Sequence, residues 1–135
     1  MNFLKLKYNL ICLLCFFINS NLVMADQCPS AEIIKKRQIS QAYDWSIDER
    51  LSLDDLFTVK KLYSVRIKNK GEFVACSYSG AKNTIRLDGA ALSKECMVTK
   101  TSGLWELSEN GEQVCKEDDL NLCVYEIHCE KTEIE

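Results

Sequence analysis

The residues of this chain that could do chemistry are its cysteines, a single histidine and several clustered acids. Cys115-x7-Cys123-x4-His128-Cys129 is the densest group of metal-ligand types. Structural zinc sites are built from closely spaced cysteine pairs. The one Cys-x2-Cys, Cys12 to Cys15, falls in the apolar N-terminal run, and none occurs from Cys28 onward, so no metal is expected. A thioredoxin-type redox centre needs that same spacing at a helix start, where the thiolate is stabilised. Its absence from Cys28 onward argues against redox catalysis. His128 has only Cys129 and Glu130 beside it, and adjacency in sequence does not make a triad. No Gly-x-Ser-x-Gly elbow, His-Glu-x-x-His or phosphate-binding loop is present. The acids Asp54-Asp55 and Glu117-Asp118-Asp119 lack the spacing of a calcium loop and read as solvated loop charge. No catalytic residue and no cofactor are therefore expected. A carboxylate-dependent hydrolase is carried only as an alternative, because any acidic pair can converge in a fold.

Charge narrows the partners. Lys35-Lys36-Arg37 is too small a cluster to recognise nucleic acid, and the chain is acidic overall, with a net charge of −3. Tyr43, Trp45, Trp105 and Tyr125 read first as core or sheet-face aromatics. Exposed together, they would mark a binding patch.

These side chains need a frame, and the frame begins with an address. The first 25 of the 135 residues contain no acid. Lys5 and Lys7 precede the apolar run Leu10–Ile18, and Val23-Met24-Ala25 offers small residues for cleavage before Asp26. This is the layout of a secretory signal peptide. Nine apolar residues would span about 14 Å as a helix, roughly half a bilayer core, so a lasting anchor is not expected. Cleavage after Ala25 leaves residues 26–135, a single domain with 15 basic and 20 acidic residues, net −5. Cys12 and Cys15 leave with the leader. Cys28, Cys76, Cys96, Cys115, Cys123 and Cys129 remain, an even number in an exported chain, and predict up to three disulfides. Fifteen connectivities are possible. Cys123 and Cys129 on one extended strand would lie about 20 Å apart and could not bond. Cys115 and Cys123 could bridge across a short connection, and Cys28 must reach deep into the chain.

Ser30 caps a short helix expected over 30–37, with Ile33 and Ile34 facing the body. Leu51, Leu53, Leu56 and Phe57 are candidate core contacts. Tyr63, Val65 and Ile67 alternate with polar residues. Lys68-Asn69-Lys70-Gly71 turns the chain, and Phe73 to Tyr78 returns as a hairpin. A short strand is expected over 84–87, closed by Asp88-Gly89. Residues 90–100 are ambiguous, with Cys96 and Val98 suggesting a strand. Asn110-Gly111 marks a tight turn before a strand over 112–115. Leu120 to Cys129 reads as a central strand, and the charged tail from Glu130 is expected to fray. The fold class is mainly β (α+β): a small antiparallel sheet with a short N-terminal helix, stabilised by disulfides.

Cys28-Pro29 after the leader, Trp45, Gly71…Cys76-Ser77-Tyr78, Cys96, Trp105, Cys115 and a closing Cys123-x-aromatic resemble a family of small exported proteins. That family comes from gammaproteobacteria such as Legionella and Coxiella and has no assigned activity. Here Cys123-Val124-Tyr125 stands where the family suggests Cys-Pro-Phe, and Cys129 is additional. The resemblance implies a secreted or periplasmic protein and leaves the disulfide pairing open. The functional expectation is a non-enzymatic module that binds a protein or glycan. An alternative is an inhibitor of a basic hydrolase such as lysozyme, towards which a net charge of −5 would steer it.

Overall fold

A computed structural model describes residues 25–130; the expected leader through residue 24 and tail residues 131–135 lie outside the described residues. Its elements are β1 (Asp26–Gln27), α1 (Ala31–Lys35), β2 (Tyr43–Ile47), α2 (Leu53–Leu56), β3 (Lys61–Lys68), β4 (Phe73–Ser79), β5 (Thr84–Ala91), β6 (Cys96–Ser102), β7 (Trp105–Leu107), β8 (Gln113–Cys115) and β9 (Val124–Cys129). They build two antiparallel sheets rather than one. The larger runs β2-β5-β4-β3-β8-β7 and the smaller β1-β9-β6.

The hairpin of β3 and β4 is the middle of the larger sheet, as its alternation predicts. One face carries Val65, Ile67, Val74, Cys76, Tyr78, Ile85 and Leu87, all buried. The smaller sheet contributes Val98 and Tyr125 to the same core, which Ile34, Leu56 and Val59 extend. The opposite face of the larger sheet is polar. Arg66 and Lys68 reach across to Glu112, at 3.6 and 3.2 Å, and Arg86 pairs with Asp88 at 2.9 Å.

Three disulfides hold these layers: Cys28–Cys76, Cys96–Cys129 and Cys115–Cys123. Cys28 reaches into the central strand, and Cys115 and Cys123 bridge a short connection. Three such bonds suit an oxidising compartment. No helix among the described residues is long and apolar enough to cross a membrane.

Several local expectations are corrected. The first helix is shorter than 30–37. Ser30 Oγ accepts from Ile33 N as its N-cap, but the helix closes at Lys36. Arg37 adopts φ 58°, and the amides of Arg37 and Gln38 bond back to Ile34 and Ile33, a Schellman closure. The Arg37 guanidinium lies 4.9 Å from the Phe57 ring centroid, which holds this non-glycine residue in place. Ile34 is fully buried, whereas Ile33 is exposed, because a five-residue helix turns only one of two adjacent side chains inward. Leu53 opens α2 on its solvent side, and Leu56 takes the core position. Strand β5 does not stop at Leu87; it continues to Ala91 and pairs with both β4 and β2. The last strand starts at Val124, not Leu120. Asp119 caps a 3-10 turn over Leu120–Leu122, and Leu122 is exposed.

Candidate interaction surface

The four aromatics singled out in the sequence do not form one exposed patch. Tyr43 and Tyr125 are core residues whose rings meet edge to face with centroids 5.8 Å apart. The Tyr43 hydroxyl donates to Asp26 Oδ2 at 2.5 Å, tying β1 to β2. Burial raises the titration of Tyr43 far above the usual tyrosine range, and the Asp26 hydrogen bond adds to it. Tyr125 is raised by burial, and its hydroxyl has no hydrogen-bond partner among the described residues. Trp45 and Trp105 are half-buried, and each indole N–H donates to a backbone carbonyl, of Ser40 and Ser102 respectively, at 2.8 Å.

The six cysteines among the described residues are all consumed by disulfides, so none of these is a thiolate ligand or nucleophile. His128 is exposed on β9, opposite in direction to Ile127, and pairs across with Met97. Among the described residues no three His, Cys, Asp or Glu side chains converge as metal ligands would. Arg50 holds Asp48 well below the ordinary carboxylate range, mainly by side-chain hydrogen bonds, and Ser52 lowers Asp55. A general acid needs the opposite shift. Glu117 and Asp119 serve the backbone: Glu117 accepts from Leu104 N at 2.9 Å and Asp119 from Asn121 N at 3.0 Å.

The hairpin of β7 and β8, with the loop behind it, joins an edge strand to exposed apolar and acidic side chains. The sequence marks its turn at Asn110-Gly111, and Gly111 adopts φ 84° there. Ser108 N donates to Glu112 O at 2.8 Å and Lys116 N to Leu104 O at 2.7 Å. Alternation along an antiparallel ladder then turns the N–H and C=O groups of Trp105 and Leu107 away from β8. β7 ends the larger sheet, so these groups line a free edge among the described residues. Leu104 and Leu107 stand on that edge with exposures of 59% and 67%.

Behind the edge, the Cys115–Cys123 bond pins residues 116–122. Gly103, at φ 101°, lets the chain pass close to this loop; a Cβ there would stand 2.6 Å from the Leu122 carbonyl oxygen. On its other side the loop borders an open groove of about 590 Å³ that includes Lys60, Lys61, Tyr63, Lys116 and Asp118. Residues 104–119 carry Glu106, Glu109, Glu112, Glu117, Asp118 and Asp119 against the single Lys116. Outside this stretch, residues 26–135 have as many bases as acids. The formal charge of residues 26–135 thus equals that of one hairpin and its braced loop, in which Glu112 is ion-paired with Arg66 and Lys68 and the other acids, among the described residues, are not. Sequence reading counted the charge without locating it; a windowed count along the chain carries that signal. Comparison with protein-family models, with curated proteins and with solved structures finds no match.

Proposed function

We propose that this chain is an exported, non-enzymatic interaction protein that takes a basic protein partner on the free edge of β7. The carrying observation is the coincidence of an unpaired strand edge, two exposed leucines and the localised acidic excess. An edge strand can supply main-chain hydrogen bonds to an added strand, flanking apolar side chains supply contact area, and clustered negative charge speeds encounter with a basic surface. A protein is favoured over a glycan because the exposed contacts are leucines and the Tyr43 and Tyr125 rings are buried. Export rests on the leader-like residues 1–25 and on three disulfides. The resemblance to small exported cysteine proteins carries the same reading.

The reading is tested with residues 26–135 immobilised and a basic protein and an acidic protein of similar size passed over them. The basic protein is expected to bind with an association rate that falls steeply with salt. Equal binding of both proteins, or binding unchanged by Leu107→Lys with Glu106→Lys, rejects it. A second reading, favoured by the same acidic hairpin, is inhibition of a basic hydrolase such as lysozyme. It predicts loss of lysozyme activity in excess protein; unaltered activity removes this reading and leaves the first standing.

A further inference from the structure

The three disulfides differ in what can reach them. Cys28, Cys76, Cys115 and Cys123 are buried, with exposures of 2%, 0%, 6% and 0%. Cys96 is half-buried and Cys129 is exposed. These last two face each other directly across β6 and β9, with Cα atoms 4.0 Å apart, at the end of the ladder. Thiol–disulfide exchange requires an attacking thiolate to approach one sulfur in line with the bond that breaks. Cys28–Cys76 is shut in the core, and Cys115–Cys123 shows solvent only a small part of Cys115, at the groove beside Lys116. At Cys96–Cys129, Cys129 is the exposed partner and the residue offered to a thiolate from solvent.

The surroundings also allow this bond to open without loss of the fold. Five further residue pairs join β6 and β9, from Met97↔His128 to Ser102↔Val124. Val98 is anchored in the core, and the turn at Asn69–Gly71 packs directly on the β6 backbone at Val98. Beyond the disulfide, among the described residues, the contact from Glu130 N to Glu95 O, at 3.3 Å, closes the end of the pair. Opening the bond therefore releases the end of the ladder and leaves both sheets in register.

We propose that Cys129 is a covalent modification site for external thiols, and that Cys96–Cys129 is the one bridge among the described residues open to exchange in the folded state. A thiolate attacks Cys129 Sγ and forms a mixed disulfide there. The Cys96–Cys129 bond breaks, and its electron pair leaves on Cys96 as a thiolate, which takes a proton from water. A second thiolate then attacks the external sulfur, releasing the small disulfide and Cys129 as a thiolate. Two external thiols are oxidised, and one protein disulfide is reduced. The inference stands on accessibility and does not depend on the partner reading above.

The test uses the oxidised mature protein without denaturant. It is exposed in parallel to graded reduced glutathione and to reduced thioredoxin, quenched in acid, alkylated and mapped by peptide mass spectrometry. Label is expected on Cys96 and Cys129 at thiol concentrations about tenfold below those that label the other four cysteines. A glutathione adduct is expected on Cys129, with the β-sheet circular dichroism unchanged. Opening by glutathione, or by thioredoxin alone, supports the proposal and separates a small-thiol from a protein-thiol source. Simultaneous labelling of all six cysteines, first labelling at Cys115 and Cys123, or an adduct confined to Cys96 overturns it. In Cys96→Ser with Cys129→Ser, the early label and the adduct are expected to vanish while the sheet signal persists. Early labelling that persists in this variant also overturns the proposal.

Discussion

Gly89 lies opposite Trp45 in the β5–β2 ladder, and the indole occupies the space its side chain would fill. A Cβ at this position would stand 2.5 Å from Trp45 Cζ3 and 2.8 Å from Cε3. This contact explains why Asp88-Gly89, which reads as a strand end, lies inside β5: glycine here makes room for a cross-strand ring. Gly89→Ala should cost about 1–3 kcal/mol in urea unfolding, the usual scale for overpacking. Trp45→Leu should cost stability alone but lessen the cost of Gly89→Ala, a coupling read from a double-mutant cycle. Additive costs would remove the steric account. The buried tyrosines make a second test at this scale. Tyr43, Tyr78 and Tyr125 all titrate far above the usual range, with burial the first cause in each. Unfolded tyrosines ionise near pH ~10. Above that pH the unfolded chain sheds protons that the folded chain keeps. The stability these groups lend is full below pH ~10 and declines as pH rises past it. Tyrosinate absorbance from these three residues should therefore appear together with loss of the sheet signal. Ionisation with the sheet intact would refute the burial argument.

At the scale of elements, β7 is the strand whose free groups matter. The Leu107 N–H faces away from β8, so a proline there removes an outward donor and spares the β7–β8 ladder. Leu107→Pro should fold with little change in the thermal midpoint yet weaken binding of a basic partner at least as much as a charge reversal does. Retained binding would show that the edge is not used. How legible the elements were follows from their periodicity. The β3–β4 hairpin and the Asn110-Gly111 turn were readable because alternation and turn residues are local signals. The extent of β5 was hidden because its end is decided by Trp45, a residue of another strand. The 3-10 turn at Leu120–Leu122 was hidden because apolar residues there mimic a continuous strand, while Asp119 caps the turn instead. The candidate surface was half legible. Trp105 and the acids were visible, but exposure of Leu104 and Leu107 depends on β7 being the last strand, which no local pattern encodes.

For the whole molecule, the disulfides decide what is tied to what. The even cysteine count predicted bridges but could not pair them, because pairing depends on which strands the topology brings together. Cys28–Cys76 joins the N-terminal segment to the central strand across a sequence separation of 48, whereas Cys115–Cys123 closes a separation of only 8. Loop-closure entropy gives the longer bridge about 4 kcal/mol and the shorter about 2.5 kcal/mol. Both are large beside the 5–15 kcal/mol or so that holds a typical domain folded. The longer bridge also holds β1 and α1 beside the core, where Tyr78 Oη donates to Pro29 O at 2.6 Å. Cys28→Ala with Cys76→Ala should therefore lower the denaturant midpoint more than Cys115→Ala with Cys123→Ala. The first pair should release the N-terminal segment to protease. The second should loosen the 116–122 loop and reduce binding at β7, at a smaller cost in global stability than the first. If the shorter bridge proves the costlier to remove, chain connectivity is not what these bonds contribute, and local packing around the 116–122 loop carries the fold instead.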